Sequence, residues 1–213
     1  KNSPHWIMAD LAIMMAGHIS VPVYPTVTAN TLQQILEHSE SQLLFIGKLD
    51  TVDSIKAGIP ASIKTVSFPN WPWTDCMGWD TFISSAQPIS HDVIPNQDAL
   101  NCILYTSGTT GRSKGAMLTH GNLGSNALVL NQFWGWKKGD VLLHALPIFH
   151  VHGLFVAAHG ALINGSKMIW LPRLDTTQLI KYLPRSTVMM GVPTFYVRLL
   201  MDPNFNKAVC KNM

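Results

Sequence analysis

Apolar residues recur along this chain with two periods, and the two periods alternate almost from end to end. Ile7, Leu11 and Met14 keep helical spacing behind Ser3 and Pro4, a hydroxyl cap followed by a residue whose missing N–H costs nothing there. Gly17 supplies a stop. "SVPVYP" at 20–25 reads as a short strand, and "NTLQQILEHSE" at 30–40 as a helix with Leu32, Ile35 and Leu36 on one face. "QLLFIG" at 42–47 and "TVSF" at 65–68 are compact buried strands. Pro, Trp and small polar residues from Pro69 to about Gly78 predict a surface loop, and a second loop runs from Gln87 to Asp98.

Beyond those loops the alternation resumes. Strands are expected at 101–106, 115–120, 141–146, 167–171 and 187–191, and helices at 121–133, 152–163, 176–183 and 193–200. Strands that alternate with helices of this length predict an α/β fold of mostly parallel sheets flanked by helices. No internal repeat or low-complexity tract interrupts it.

With 213 residues the chain suits one large domain or part of a larger one. Its formal net charge of +3 is weak, and the basic residues are scattered rather than clustered, so nothing points to a nucleic-acid partner. Cys76, Cys102 and Cys210 are far apart, form no metal-ligand pair and fit a reducing cytoplasm better than a disulfide framework. The longest apolar stretch, "WIMADLAIMMAGHISVPVYP", contains Asp10 and His18 and ends in prolines. A buried helix and strand fit it better than a membrane span, which needs about 20 apolar residues. "KNSPHW" has neither the basic lead nor the apolar centre of a signal peptide. The chain opens on a helix cap without an initiator Met, and the expectation is that preceding sequence is missing.

The chemistry concentrates in "LYTSGTTGRSKGAMLTH", from Leu104 to His120. Three familiar motifs fail on it. A Walker loop needs Gly-Lys-Ser/Thr, but Lys114 is followed by Gly115; a dinucleotide loop needs glycine where Thr110 stands; a hydrolase elbow needs glycines where Tyr105 and Thr109 flank Ser107. Polyphosphate nevertheless suits the residues. Gly108 and Gly111 let backbone N–H groups turn towards oxygens as a nest, and Thr106, Ser107, Thr109 and Thr110 offer hydroxyls to phosphate or magnesium. Lys114 brings a mobile charge. A polar Gly/Ser/Thr hairpin without function has the same composition.

"YTSGTTGRSKGAMLTHGNL" resembles the signature loop of the adenylate-forming (AMP-binding) superfamily, which includes acyl-CoA synthetases, luciferases and peptide-synthetase adenylation domains. The resemblance implies that Thr106, Ser107, Gly108, Thr109, Thr110, Gly111 and Lys114 hold the β- and γ-phosphates of ATP, with Thr106 also implicated in binding Mg²⁺. Ser113 stands where the family usually has proline, which frees φ without removing a ligand.

The second half, from "HALPIFH" through "VMMGVPTFYVRLL", resembles malonyl-CoA and methylmalonyl-CoA synthetases, whereas "DLAIMMAGHISVPVYPT" and "LEHSESQLLFIGKLD" are more similar to bacterial long-chain fatty acyl-CoA synthetases. The family's Pro-x-x-His segment implies that His150 lies beside the acyl pocket. A short diacid needs a cation for its distal carboxylate, and Arg198 is the candidate, against the plain reading of a solvated charge on an amphipathic helix. His144 and His152 carry no motif support and are expected to be structural. A zinc hydrolase built on His150-x-His152 lacks a third ligand at close spacing.

The resemblance implies an ATP-dependent acid–CoA ligase: a carboxylate attacks the α-phosphate, pyrophosphate leaves, and the acyl-adenylate passes its acyl group to coenzyme A. Malonate or methylmalonate is favoured and a long-chain fatty acid is the alternative; only the latter would call for membrane contact. The Tyr-Gly-x-Thr-Glu and Thr-Gly-Asp stretches and the family's catalytic lysine have no counterpart here. Residues 1–213 are therefore expected to be part of the family's large N-terminal domain, inactive alone. A stand-alone nucleotide- or acyl-binding module is the reading from another class.

Overall fold

The computed structural model describes residues 2–49, 52–69, 71, 73–90, 93–106 and 113–213, and they divide into two compact units. The first runs from Ser3 to Gly121; the second takes Asn2 and Asn122–Met213. Length alone did not separate them.

In the first unit α1 spans Pro4–Met15, and the Ser3 hydroxyl accepts a hydrogen bond from the Trp6 N–H at 3.3 Å. Gly17, at φ 73°, ends it in the left-handed conformation that glycine adopts without strain. Thr28 caps α2 (Ala29–His38), whose Leu32, Ile35 and Leu36 are buried as the periodicity requires. Leu32 and Leu36 pack against Ile55 of the short helix α3 (Val52–Lys56).

Strands β1 (Leu43–Ile46), β2 (Lys64–Ser67) and β3 (Met77–Gly78) form a parallel sheet in that order, with Leu43 opposite Lys64 and Val66 opposite Met77. Helix α4 (Trp79–Ser84) follows, and Trp79 and Phe82 meet Phe45 edge-on at about 6 Å. β3, α3 and α4 were not anticipated.

Strands β4 (Leu100–Thr106) and β5 (Lys114–Thr119) pair antiparallel, the exception to the parallel expectation. The strand expected at 20–25 shrinks to a single parallel bridge, Ser20 to Cys102. Pro22 and Pro25 lack the N–H that a longer ladder needs. Helix α5 (His120–Phe133) contains the boundary between the units.

The second unit holds the sheet β7 (Lys167–Trp170), β6 (Val141–His144), β8 (Val188–Met189), all parallel with β6 central. Leu142 and Leu143 of β6 have no exposed surface, as a strand covered on both faces must. Around them pack Ala157, Ala161, Leu179, Leu183, Phe195 and Leu199. The helix expected at 152–163 is a π-helical segment, His152–Ala158, continued by α6 (His159–Ile163). Helices α7 (Thr176–Tyr182) and α8 (Pro193–Leu200) complete the unit. Among the described residues no helix is long and apolar enough to cross a membrane.

Candidate functional site

The glycine-hydroxyl stretch hangs from the β4–β5 hairpin. Thr106, the last residue of β4, stands directly opposite Lys114, the first of β5, and both are exposed. The Thr106 hydroxyl donates to the Lys114 carbonyl at 3.5 Å, a long bond. Ser107, Gly108, Thr109, Thr110 and Gly111 lie outside the described residues. The hairpin thus brings a hydroxyl and an ammonium to the two ends of the stretch.

Its base is fixed from below. Tyr105, 5 % exposed, hydrogen-bonds His38 Nδ1 on α2 at 2.6 Å, and burial raises the phenol above its ordinary pKa against a lowering hydrogen bond from Ser39. Gly115 faces Tyr105 across the ladder, and a Cβ there would come within 2.7 Å of Ile103 Cγ2. Any larger residue would push that side chain away from the foot of the loop. Neither contact was foreseen, because Tyr105 and His38 are 67 positions apart and nothing local marks them as partners.

In the second unit the candidate acyl residues follow the carboxyl ends of neighbouring strands, the side on which open parallel sheets bind ligands. After β6 the chain turns at Pro147, whose carbonyl accepts the His150 N–H at 3.2 Å; the His150 carbonyl then accepts from the Leu154 N–H at 2.9 Å. His150 is exposed on this turn. Asn2 ties the turn down: its Nδ2 donates to the Leu146 carbonyl at 2.8 Å and the Leu171 carbonyl at 3.1 Å, and its Oδ1 accepts from the Ile148 N–H at 3.1 Å. Asn2 joins the ends of β6 and β7 across more than 140 positions of sequence, so sequence reading missed it.

α8 begins just after β8, with Pro193 at its first turn, and Arg198 lies exposed in its last turn. Its position also suits the negative end of the helix dipole, which is the plain reading of the charge. His144, at the end of β6, is 1 % exposed and lies against Trp170, ring centroids 4.7 Å apart and planes tilted by 47°. Burial pushes it down to about 4; the Gly153 backbone opposes this and His152 adds to it. Neither ring nitrogen reaches hydrogen-bond geometry. The ring belongs to the core. Among the described residues no three His, Cys, Asp or Glu side chains gather as a metal site, and the thiols are free.

Comparison with known proteins adds the family. The AMP-binding enzyme family matches residues 1–212. The mouse (Mus musculus) mitochondrial malonate–CoA ligase ACSF3 is 33% identical over 227 residues, covering 99% of this chain and 38% of the relative. A malonate–CoA ligase of Arabidopsis thaliana is 37% identical over 214 residues, covering 94% of this chain and 35% of its own length. The crystal structure of ATP-bound MatB from Rhodopseudomonas palustris superposes with a TM-score of 0.83 at 37% identity, covering all of this chain and 42% of that one. The chain therefore spans less than half the length of each of these relatives.

Proposed function

This chain belongs to the family of AMP-binding enzymes, and from that premise we propose that its parent protein is an ATP-dependent acid–CoA ligase with malonate or methylmalonate as its acid. The observation that carries the reading is the hairpin that sets Thr106 against Lys114 at the two ends of a glycine-hydroxyl stretch. Relatives named as malonate–CoA ligases support the choice of acid.

In this reading the stretch from Thr106 to Lys114 closes on the β- and γ-phosphates of ATP. The carboxylate attacks the α-phosphate, pyrophosphate leaves, and the acyl-adenylate reacts with the thiol of coenzyme A. Positioning and charge stabilisation carry such chemistry, which is what backbone N–H groups, hydroxyls and one ammonium supply. A threonine hydroxyl is a hard oxygen donor of the kind Mg²⁺ takes, so Thr106 fits the ion that accompanies the triphosphate. His150, on the turn anchored by Asn2, borders the acyl group, and Arg198 receives the distal carboxylate. The free thiols suit a reducing compartment. The chain from Lys1 to Met213 is part of the large N-terminal domain and does not turn over alone; ATP–pyrophosphate exchange with malonate on this chain would contradict that.

Two measurements on the parent protein test the reading. Replacing either Thr106 or Lys114 by alanine weakens MgATP binding about tenfold or more, the scale of one hydrogen bond to a charged group. Unchanged affinity removes the loop from the site. Malonate is activated in preference to palmitate, and Arg198→Ala raises the KM for malonate about tenfold while leaving MgATP binding alone. If palmitate proves the better acid and Arg198→Ala changes nothing, the long-chain alternative takes its place.

A further inference from the structure

The chain after the His150 turn is wound wider than an α-helix, and its hydrogen bonds show where the extra width ends. The Leu154 N–H donates four residues back, to the His150 carbonyl at 2.9 Å. The His159 N–H donates five back, to the Leu154 carbonyl, in the spacing of a π-helix. By Gly160 the spacing is four again, with the Asn164 N–H at 3.2 Å from its carbonyl. A helix that returns from five-residue to four-residue spacing passes over one carbonyl. Phe155, next after Leu154, is buried, and a buried carbonyl left without a donor is costly. The Asn126 Nδ2 donates to the Phe155 carbonyl at 3.3 Å.

Asn131 makes a parallel contact, its Nδ2 donating to the Gly160 carbonyl at 3.0 Å. Two amides of α5, five residues apart, thus hold two carbonyls five residues apart on the widened stretch and α6. Residues of an α-helix are about 100° apart around its axis, so Asn126 and Asn131 flank the buried stripe of Leu123 and Ala127 on opposite sides. Apolar contact is non-directional and tolerates sliding; a pair of amides on two carbonyls does not. The two amides differ in what they supply. The Gly160 carbonyl also accepts from the Asn164 N–H, whereas Phe155 stands at the changeover and takes its donor from Asn126.

The widened stretch in turn supports the His150 turn at two points. The His150 carbonyl accepts from Leu154, and Gly153 lies so close to the Pro147 carbonyl that a Cβ there would come within 2.1 Å of its oxygen. Closing the stretch to the ordinary α spacing would rotate Gly153 and Leu154 relative to Pro147 and His150. On the reading that His150 borders the acyl group, we propose that Asn126 is a positioning residue for the acid substrate. Its amide supplies the donor that the Phe155 carbonyl needs, keeps the wide turn, and so fixes the place of His150.

The test uses two substitutions in the parent protein: Asn126→Asp keeps the side chain's shape and removes the donor, and Asn126→Gln keeps the donor on a longer arm. For whichever of malonate and palmitate the unaltered protein activates better, Asn126→Asp is expected to raise KM about tenfold, with kcat and MgATP affinity within about twofold. Asn126→Gln is expected to recover most of the loss. Carbonyl ¹³C NMR with selective labelling at Phe155 reads the register: its signal moves in Asn126→Asp and returns in Asn126→Gln. A raised KM without movement of the Phe155 signal overturns the proposal, as does a moved signal with unchanged KM. A loss shared equally by the acid and MgATP also overturns it, because that is a general loss of structure. If Asn126→Asp does not fold, Asn126→Ala, which favours the helix, takes its place under the same readouts; failure of both to fold makes Asn126 a determinant of the fold and overturns its positioning role. A parent protein that activates neither acid instead removes the reading of the site itself, an outcome seen before any substitution is made.

Discussion

Gly153→Ala is expected to destabilise the second unit by about 3 kcal/mol or more, the upper end of what overpacking costs. A Cβ at Gly153 would lie 2.1 Å from the Pro147 carbonyl oxygen and 2.7 Å from its carbon. Both are backbone atoms, so no rotamer change relieves the overlap. The Pro147 carbonyl also accepts the His150 N–H, so the turn that must move is the one that presents His150. A position four residues into α5 provides the opposite sign. A Cβ at Gly124 meets nothing within 4 Å, and Gly124→Ala is expected to gain about 0.5–1 kcal/mol by restricting the unfolded chain. Urea titration of both variants, followed by exchange of the Leu142 and Leu143 amides, should move the two midpoints in opposite directions. A Gly153→Ala midpoint equal to that of the unaltered chain would mean that the turn does not press on the π-helical segment.

Much of the fold was legible because its strands are apolar runs bounded by turn residues. "VLLHAL" declares β6 without help, and Leu32, Ile35 and Leu36 declare the buried face of α2. What escaped depends on contacts distant in sequence. Trp79 and Phe82 sit in a region rich in turn formers, yet they pack against Phe45 from more than thirty positions away. The π-helical segment was read as ordinary helix, since apolar spacing over two turns cannot separate one extra residue per turn from none. The glycine-hydroxyl stretch stands out by its motif, and the hairpin register sets Thr106 opposite Lys114 at its two ends. Asn2 was invisible for the opposite reason: its amide completes hydrogen bonds at strand ends, a demand set by the turn and not by any pattern around Asn2.

Acidification should weaken the second unit and strengthen the first. His144 and His159 are buried in the second unit, and burial pushes each down to about 4. Between the ordinary histidine pKa of 6.5 and that value the unfolded chain holds protons that the folded unit refuses. Their contribution is therefore complete above the ordinary pKa and is lost as the pH falls towards the folded one. Asp10 works the other way: burial raises it from 3.8 to about 6, against the Ser20 hydrogen bond, so the folded unit holds a proton that the unfolded chain has released. Its contribution is complete below the unfolded value and is lost as the pH rises through the folded one. From about pH 7 to about pH 5 the shifts imply a loss of about 4 kcal/mol for the second unit and a gain of about 1 kcal/mol for the first. Hydrogen exchange reads both in one sample, once corrected for the intrinsic pH dependence of amide exchange: Leu142 and Leu143 report one unit, Leu32 and Leu36 the other. His144→Leu should remove about half of the second unit's dependence, and Asp10→Asn should abolish the first unit's gain. Parallel profiles in the two units, or slopes that survive these substitutions, would assign the pH response to other groups.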